Sequence, residues 1–214
     1  MATEPARDPP QDCRRCPRLA ALRDDLRNEH PGWHNAPVPS FGEPDAGLLV
    51  VGLAPGRNGA NRTGRPFTGD AAGNVLYPAL LRHGFAAGNY AEDPDDGLVL
   101  ANCRISNAVR CLPPGNKPLG AEVTACRGYL KAEIEAMPGL KVILALGRIA
   151  HGSTVAVLGH RQAAVSFAHG IFHDLPGLTL ADSYHCSRYN LNTGRLTEAM
   201  FDQVLTGIRR RFLF

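Results

Sequence analysis

The chain contains 214 residues, of which 44% are hydrophobic and 20% charged, and its formal net charge is +3. This length predicts a single domain over residues 1–214, with the polar, proline-rich residues 1–12 disordered or extended. No apolar run is long enough to cross a membrane and the N-terminus has no apolar signal segment. These features exclude membrane and secreted classes and predict a soluble, cytoplasmic protein.

Arginine supplies almost all of the positive charge, because Lys117, Lys131 and Lys141 are the only lysines. Arginine is suited to bidentate contacts with phosphate, but an arginine-rich sequence can equally follow from coding bias. The net charge is too small to indicate a polyanionic partner by itself. Composition alone therefore leaves the partner open.

The spacing of the six cysteines is more informative than their number. Without a secretory signal they are expected to stay reduced rather than to form disulfides. Cys13 and Cys16 form a CxxC pair, and Cys111 and Cys126 form a second pair with a wider spacing.

The first predicted elements lead to a buried strand. Leucines at helical spacing predict a helix over residues 19–27, and the proline- and glycine-rich residues 30–45 predict an irregular approach to the strand. The apolar run at residues 48–51 is typical of a strand that is covered on both faces.

A long glycine-rich loop follows this strand and ends at Asp70. Glycine permits positive φ and lets backbone N–H groups approach a ligand, so the loop can surround a flat or anionic group. Ordinary surface turns are also rich in Gly and Pro. They rarely reach this length, however, or enclose an apolar pair such as Pro66 and Phe67.

The remaining elements alternate between helix and strand. Helices are predicted over residues 74–83, 119–137 and 149–158 and from residue 197 onward, and strands over residues 98–102, 142–146 and 178–183, with a strand or loop at 163–172. This alternation is typical of an α/β fold, in which helices cover both faces of a parallel sheet.

Ligands of such sheets bind beyond the carboxyl ends of the strands. This rule places the glycine loop, Asn107, Gly147 and His185 on one edge, although they are far apart in sequence. Phe67 offers a stacking surface and Asn107 an amide, a combination that can recognise an extruded base. Asp70 and His185 add a carboxylate and an imidazole to this edge.

Other chemistries have weaker support in the sequence. The glycine loop contains neither GxxxxGK[ST] nor GxGxxG, so it carries no nucleotide-cofactor motif. A Ser/His/Asp hydrolase that uses Ser183 or Ser187 stays open, but the chain has no GxSxG elbow.

Three segments carry a family resemblance. They are GLAPGRNGANRTGRPFTGD at residues 52–70, ISNAVRC at 105–111 followed by PPGNKP, and SYHCSRYNLNTGRL at 183–196. Together with the four paired cysteines, they resemble the motifs of the uracil-DNA glycosylase superfamily, most closely its iron–sulfur family 5, the B type. The segments occur in the family's order and span most of the chain.

The resemblance implies a three-layer α/β/α sandwich around a central four-stranded parallel sheet. It also implies that Phe67 stacks on an extruded base while Asn107 hydrogen-bonds the pyrimidine edge of that base. His185 would donate to the carbonyl oxygen on which negative charge develops. Asp70 would stabilise the sugar cation or orient the attacking water.

Further contacts are implied by the same resemblance. The backbone of Gly52, Leu53 and Ala54 would line the base pocket. The segment after His185 would enter the minor groove, where Arg188 or Tyr189 would fill the space that the base leaves. The full set of implied DNA contacts is Arg57, Arg62, Arg65, Ser187, Arg188, Tyr189 and Asn190.

The implied activity is that of a monomeric, monofunctional DNA repair glycosylase. It would hydrolyse the N-glycosidic bond of uracil, and of other deaminated or etheno-modified bases, in double- or single-stranded DNA and leave an abasic site. A binding protein that recognises or covalently traps damaged bases without turnover is the alternative. An iron–sulfur electron carrier is a third hypothesis, for which the pocket residues would have no purpose.

The sequence departs from better-known branches of the superfamily at three places. Ala54 stands where those branches carry an Asp or Asn that positions water, so Asp70 is expected to take over that task. Gly56 stands where a Tyr excludes the thymine methyl group, which implies a wider pocket and a broader range of bases. The usual His-Pro-Ser reads His185-Cys186-Ser187 here, so Cys186 replaces the proline.

The resemblance implies a [4Fe-4S] cluster on Cys13, Cys16, Cys111 and Cys126, which would pin an N-terminal segment, residues 13–46, to the rest of the domain. Zinc stays open as an alternative, since four thiolates suit that metal too.

Each candidate site residue also has a purely structural interpretation. Asp70 precedes a predicted helix and could serve only as its N-cap. Asn107 could bond a turn backbone, Phe67 could belong to the core, and His185 could be a buried imidazole with satisfied hydrogen bonds.

Overall fold

A computed structural model describes residues 7–212. The sequence predicts that residues 1–12 are disordered or extended, and the first six of these residues lie outside the described part of the chain. The later part of that segment is tied to the protein, because the Asp8 carboxylate accepts hydrogen bonds from Arg110 at 2.8 Å and from the Ser40 backbone at 3.1 Å.

Helices and strands alternate through most of the chain, as the sequence predicts. The helices are α1 (Pro17–Glu29), α2 (Ala60–Thr63), α3 (Gly73–Arg82), α4 (Gly120–Glu135), α5 (Arg148–Val157), α6 (Arg188–Asn192) and α7 (Glu198–Phe212). The strands are β1 (Leu48–Gly52), β2 (Ala86–Ala87), β3 (Val99–Leu100), β4 (Cys103–Asn107), β5 (Val142–Leu146), β6 (Phe172–Leu175) and β7 (Leu178–Ser183).

The main sheet has five strands in the order β4-β1-β5-β7-β6. The first four are parallel, which confirms the predicted parallel sheet. The fifth, β6, pairs antiparallel with β7 and was not expected as a member of this sheet. A tight turn joins β6 to β7 between Leu175 and Leu178. Gly177 is the residue of this turn that the sequence could have indicated, because it adopts a φ of 84°, which favours glycine.

The second core strand lies later in the chain than the apolar run at residues 98–102 indicates. That run contributes only β3, which pairs with β2 in a separate two-stranded sheet. Asn102 ends the run because it adopts a left-handed φ of 49°, and its side chain accepts a hydrogen bond from the Gly47 N–H at 2.6 Å. The core strand β4 begins at the next residue.

Helices cover both faces of the sheet, so the predicted three-layer arrangement is confirmed. Alternate residues of β1 point to opposite faces: Leu48 and Val50 pack with residues of α3 and α7, whereas Leu49 and Val51 pack with residues of α4 and α5. None of the helices in residues 7–212 combines the length and apolar character that crossing a bilayer requires.

Candidate active site

The carboxyl ends of β1 and β4 bring three predicted site residues together. Gly52 pairs with Asn107 in the register of these two strands. A Cβ atom on Gly52 would lie 2.4 Å from Asn107 Oδ1 and 2.5 Å from the Phe67 ring. Only glycine fits at this position, because any side chain would displace both of the predicted base-binding groups.

Phe67 connects this group to the end of β7. Its backbone has a positive φ of 55°, and its ring is buried and stacks on the His185 ring with a centroid distance of 6.0 Å. The Tyr77 hydroxyl donates to the carbonyl of Pro66, and the Tyr90 hydroxyl donates to that of Phe67. The ring is therefore held in place by the loop around it.

Asp70 uses its two carboxylate oxygens differently. Oδ1 accepts hydrogen bonds from the backbone N–H groups of Ala72 and Gly73, at 3.0 and 3.1 Å, where α3 begins. Oδ2 faces Gly56 and Gly59, and it would lie 2.5 Å from a Cβ atom on Gly59. The capping role is thus real, and it leaves the second oxygen available for chemistry.

His185 follows β7 directly. Burial lowers the pKa of His185 below its ordinary value of 6.5, and the nearby Asp70 carboxylate opposes this shift only in part. Nδ1 is buried and has no hydrogen-bond partner among the described residues. A neutral imidazole at neutral pH follows.

Asn107 is 3% exposed, and no group in residues 7–212 donates to its Oδ1 atom. A buried acceptor without a partner costs about 1–3 kcal/mol and is rare in folded proteins. The carbonyl end of this amide is therefore suited to accept a hydrogen bond from a ligand.

A cavity of about 740 Å³ opens at this edge of the sheet. Gly52, Phe67 and Asn107 do not line it and lie deeper in the protein. The predicted site residues that line the cavity are Leu53, Ala54, Asp70, His185, Ser187, Arg188 and Asn190.

The segment after His185 forms its own hydrogen bonds, although it lacks the usual proline. Ser187 caps α6 by accepting a 3.4 Å hydrogen bond from the Asn190 N–H, and the Asn190 side chain donates to the His185 carbonyl at 2.8 Å. Arg188 faces the cavity, whereas Tyr189 is 72% exposed. This segment therefore presents both candidate wedge residues on the surface.

Of the three arginines predicted in the glycine loop, Arg65 is not available to DNA. It is buried, and its guanidinium forms two 2.8 Å hydrogen bonds with Asp96. This burial contradicts the predicted DNA contact. Arg57 and Arg62 are exposed, although Arg57 pairs with Glu29 at 3.0 Å, and their DNA contacts stay predictions.

The four paired cysteines line one small pocket. Burial raises the pKa of Cys111 to about 12, and the neighbouring thiols, Cys126 foremost, add to this shift. The Cys126 sulfur also accepts a hydrogen bond from the Arg110 backbone at 3.4 Å. Converging thiols of this kind suit a cation that takes thiolate ligands.

Among the described residues, His151, His173 and Asp182 place three potential ligand atoms within 4.8 Å of one another. The four cysteines are not part of that group. Four thiolates suit zinc as well as an iron–sulfur cluster, so both stay open for the cysteine pocket.

The two histidines and the aspartate form a hydrogen-bonded group. Asp182 lies 2.8 Å from His151 Nδ1 and 3.1 Å from His173 Nε2, and His151 Nε2 lies 2.8 Å from the Val165 carbonyl. Both ring nitrogens of His151 thus face acceptors, an arrangement that favours the protonated ring. Burial alone would lower the pKa of His151, but the hydrogen bond with Asp182 raises it overall.

Several residues that line the cavity were not predicted from the sequence, among them Arg148, Phe167, Tyr184 and Arg195. The position of Arg148 could have been predicted, because it follows Gly147 at the end of a predicted strand. Phe167 and Arg195 lie in loops, where sequence periodicity gives no position.

Comparison with known proteins identifies the family of this chain. A family model described as the uracil DNA glycosylase superfamily matches residues 39–209. The chain belongs to this superfamily.

Within the superfamily, the chain is similar to proteins named type-5 uracil-DNA glycosylase. One from Thermus thermophilus is 46% identical over 206 residues, which cover 92% of this chain and 93% of the relative. One from Pyrobaculum aerophilum is 40% identical, covering 91% and 86%, and one from Mycobacterium leprae is 39% identical, covering 92% and 90%. The family resemblance of the three sequence segments is thereby confirmed.

Proposed function

We propose that this protein, acting as one domain and as a monomer, is a monofunctional uracil-DNA glycosylase. It hydrolyses the N-glycosidic bond of uracil in DNA and leaves an abasic site. The observation that carries the proposal is the convergence of Asp70 and His185 on one cavity in a chain of this superfamily. Behind them, the Phe67 ring stacks on His185, and Phe67 and Asn107 both pack against Gly52.

Base recognition is assigned to Phe67 and Asn107. The amide of Asn107 offers an acceptor and a donor side by side, which matches the N3–H donor and O4 acceptor on one edge of uracil. The unpartnered Oδ1 atom supports this assignment, because the N3–H would supply the missing donor. The Phe67 ring would support the face of the base.

His185 is assigned to the departing base. As the bond from N1 to the sugar breaks, both electrons stay with uracil and negative charge grows on O2. A neutral imidazole can donate its N–H to that oxygen, and the lowered pKa of His185 keeps the ring neutral at neutral pH.

Asp70 is assigned to the sugar. Its free Oδ2 would stabilise the positive charge that develops at C1′ and would orient the water whose oxygen bonds to C1′. Oδ1 stays bound to the start of α3, which holds the carboxylate in place. No lysine among the described residues lines the cavity, so no amine is available for a Schiff base with the abasic sugar, in keeping with monofunctional chemistry.

A broader range of bases follows from the shape of the entrance. Ala54 and Gly56 both line the cavity, and neither carries a bulky side chain. We expect uracil to be accompanied by hypoxanthine and etheno-modified bases as substrates.

We further propose that Cys13, Cys16, Cys111 and Cys126 hold a [4Fe-4S] cluster, with the N-terminal segment of residues 13–46 fixed by it. The convergence of the four thiols on one small pocket supports this choice, and so does the similarity of the chain to the iron–sulfur branch of the superfamily. Bound there, the cluster would act as a structural cross-link, since the pocket that holds it is separate from the cavity with Asp70.

An excision assay tests the proposed function. A labelled duplex with one U opposite G is incubated with the protein and then treated with alkali, and a duplex with C in place of U is the control. We expect strand breaks only in the uracil duplex, with more breaks than protein molecules. A stable protein–DNA adduct would instead indicate a base trap, and intact DNA would exclude both activities.

A further inference from the structure

Two arginines and two aromatic rings form a continuous row at the cavity rim. The Arg148 guanidinium lies 5.4 Å from the centre of the Phe167 ring, which lies 6.1 Å from the Tyr184 ring. Arg195 lies 4.7 Å from the centre of the same Tyr184 ring. We call these four residues the arginine–aromatic row.

The two arginines of the row lack carboxylate partners. Within residues 7–212, no Asp or Glu lies at ion-pair distance from Arg148 or Arg195, and both side chains are exposed. Many other arginines of the protein are paired, as Arg65 is with Asp96. Two uncompensated positive charges thus face the mouth of the cavity.

Arg148 also lies where a cation does not help folding. It is the first residue of α5, whose first turn contains no acidic residue. The positive end of the helix dipole disfavours a cation there, by about 0.3–1 kcal/mol. Helix stability therefore gives no reason for Arg148, whereas an anionic ligand at the rim would be attracted by both the guanidinium and the helix end.

The aromatic rings determine how the arginines can bind. Stacking fixes the plane of a guanidinium and leaves its N–H edge free, which is the geometry for bidentate contact with phosphate. The rings themselves are supported, since Tyr184 stacks on His169 with a centroid distance of 4.9 Å.

We propose that Arg148 and Arg195 bind phosphates that flank the extruded nucleotide, one at each end of the arginine–aromatic row. This inference rests on the proposed function, because it takes DNA as the ligand. The two arginines position the DNA and take no part in breaking the glycosidic bond.

The test is DNA binding as a function of salt. A fluorescein-labelled duplex with a tetrahydrofuran abasic analogue, which cannot be cleaved, is titrated with the wild type, Arg148→Gln and Arg195→Gln. We expect each variant to bind roughly 10-fold more weakly. Each should also reduce the slope of log Kd against log salt by about 0.9 between about 50 and 200 mM salt. Arg148→Lys keeps the charge and should keep most of the slope.

Arg210→Gln is the matched control. Arg210 is an exposed arginine in the last turn of α7, away from the cavity, and its loss should leave the affinity and the slope unchanged. Binding to an undamaged duplex of the same sequence measures the DNA affinity that does not depend on the abasic site. The loss caused by Arg148→Gln should be larger on the abasic duplex than on the undamaged one.

Wild-type affinity and slope in both variants would overturn the inference, as would equal losses on the two duplexes. Single-turnover uracil excision at saturating protein separates this outcome from the proposed function. We expect the wild type and Arg210→Gln to release uracil at the same rate there, whatever the salt titration shows for Arg148→Gln and Arg195→Gln. A wild type that binds the abasic duplex but releases no uracil would remove the proposed function and leave the binding test valid.

Discussion

Asp70 joins the fold and the proposed chemistry in one side chain. Asp70→Asn keeps an oxygen that can cap α3 but removes the negative charge, so we expect single-turnover uracil excision to fall at least about 100-fold with little loss of stability. Rapid-quench rates and thermal melting measure the two effects. Asp70→Ala removes the cap as well and should cost a further 0.5–2 kcal/mol or so. A wild-type excision rate in Asp70→Asn would exclude this carboxylate from the mechanism.

His185 should make stability depend on pH in a defined direction. Because its pKa is lowered in the folded state, the unfolded state binds more protons, so the contribution of neutral His185 is present above pH 6.5 and lost as pH falls through the folded-state pKa. We expect the unfolding free energy of the wild type to fall more steeply between pH 6.5 and 5 than that of His185→Ser, by at most about 1.4 kcal/mol per pH unit. Urea titrations across this range measure the difference, and equal slopes would contradict a lowered pKa.

Some residues of the site can be predicted from the sequence and others cannot, and the reason is physical. Asn107 ends β4, Phe67 and Asp70 lie in the long loop after β1, and His185 comes shortly after β7. The rule for parallel sheets therefore places all four at one edge. The burial of Arg65 depends on Asp96, which lies 31 positions away in the loop after β2, and no local pattern predicts such a pair.

At the scale of elements, a buried ion pair network ties α4 to β4. Glu133 is fully buried and pairs with Arg104 and Arg110. Burial alone would raise the pKa of Glu133, but Arg110, the Ser40 hydroxyl and Arg104 together hold it below its ordinary value. The network thereby fixes the helix of Cys126 against the strand that leads to Cys111.

Glu133→Gln should destabilise the protein by about 3–5 kcal/mol, because the buried Arg104 guanidinium loses its counter-charge and the buried Arg110 guanidinium keeps only Asp8. Glu135→Gln is the control on the same helix, since Glu135 is exposed and its ion pair with Lys131 is worth at most about 0.5 kcal/mol. Urea unfolding of both variants measures the contrast. Equal stabilities would show that the buried network contributes little.

The elements themselves were predictable where a single strong pattern determines them. The apolar runs of β1, β5 and β7 place those strands closely. The apolar run at residues 98–102 was wrongly predicted to be the core strand, because Asn102 turns the chain out of the strand conformation. This turn is stabilised by the hydrogen bond that Asn102 accepts from the Gly47 N–H, and hydrophobicity does not indicate it. The edge strand β6 is half-exposed and has no clean alternation, so only its pairing with β7 reveals it.

At the scale of the whole molecule, two sites with separate tasks share one fold. The cavity lies at the carboxyl edge of the sheet, and the cysteine pocket joins α1 to α4 beside it. The sheet order determines the first site because it brings the ends of β4, β1, β5 and β7 together. The cysteine pocket depends on how the N-terminal segment packs against α4. The spacing of the cysteines suggests that the two pairs meet, but it does not determine this packing.

The purified protein should be brown, with broad visible absorbance and about four irons per chain. Cys126→Ser should lose this colour, whereas Cys103→Ser should keep it, because Cys103 is buried in the core away from the four paired thiols. Absorbance and metal analysis measure both. A colourless wild type that holds stoichiometric zinc would contradict the cluster.

The central claim is that the cavity with Asp70 and His185 releases uracil from DNA. Its most direct test is to quantify free uracil by mass spectrometry after incubating the purified protein with an excess of duplex that carries one U per strand pair. We expect more than one molecule of uracil to be released per protein molecule, while the sugar–phosphate backbone stays intact until alkali is added. Protein that binds the duplex yet releases no free uracil would contradict it.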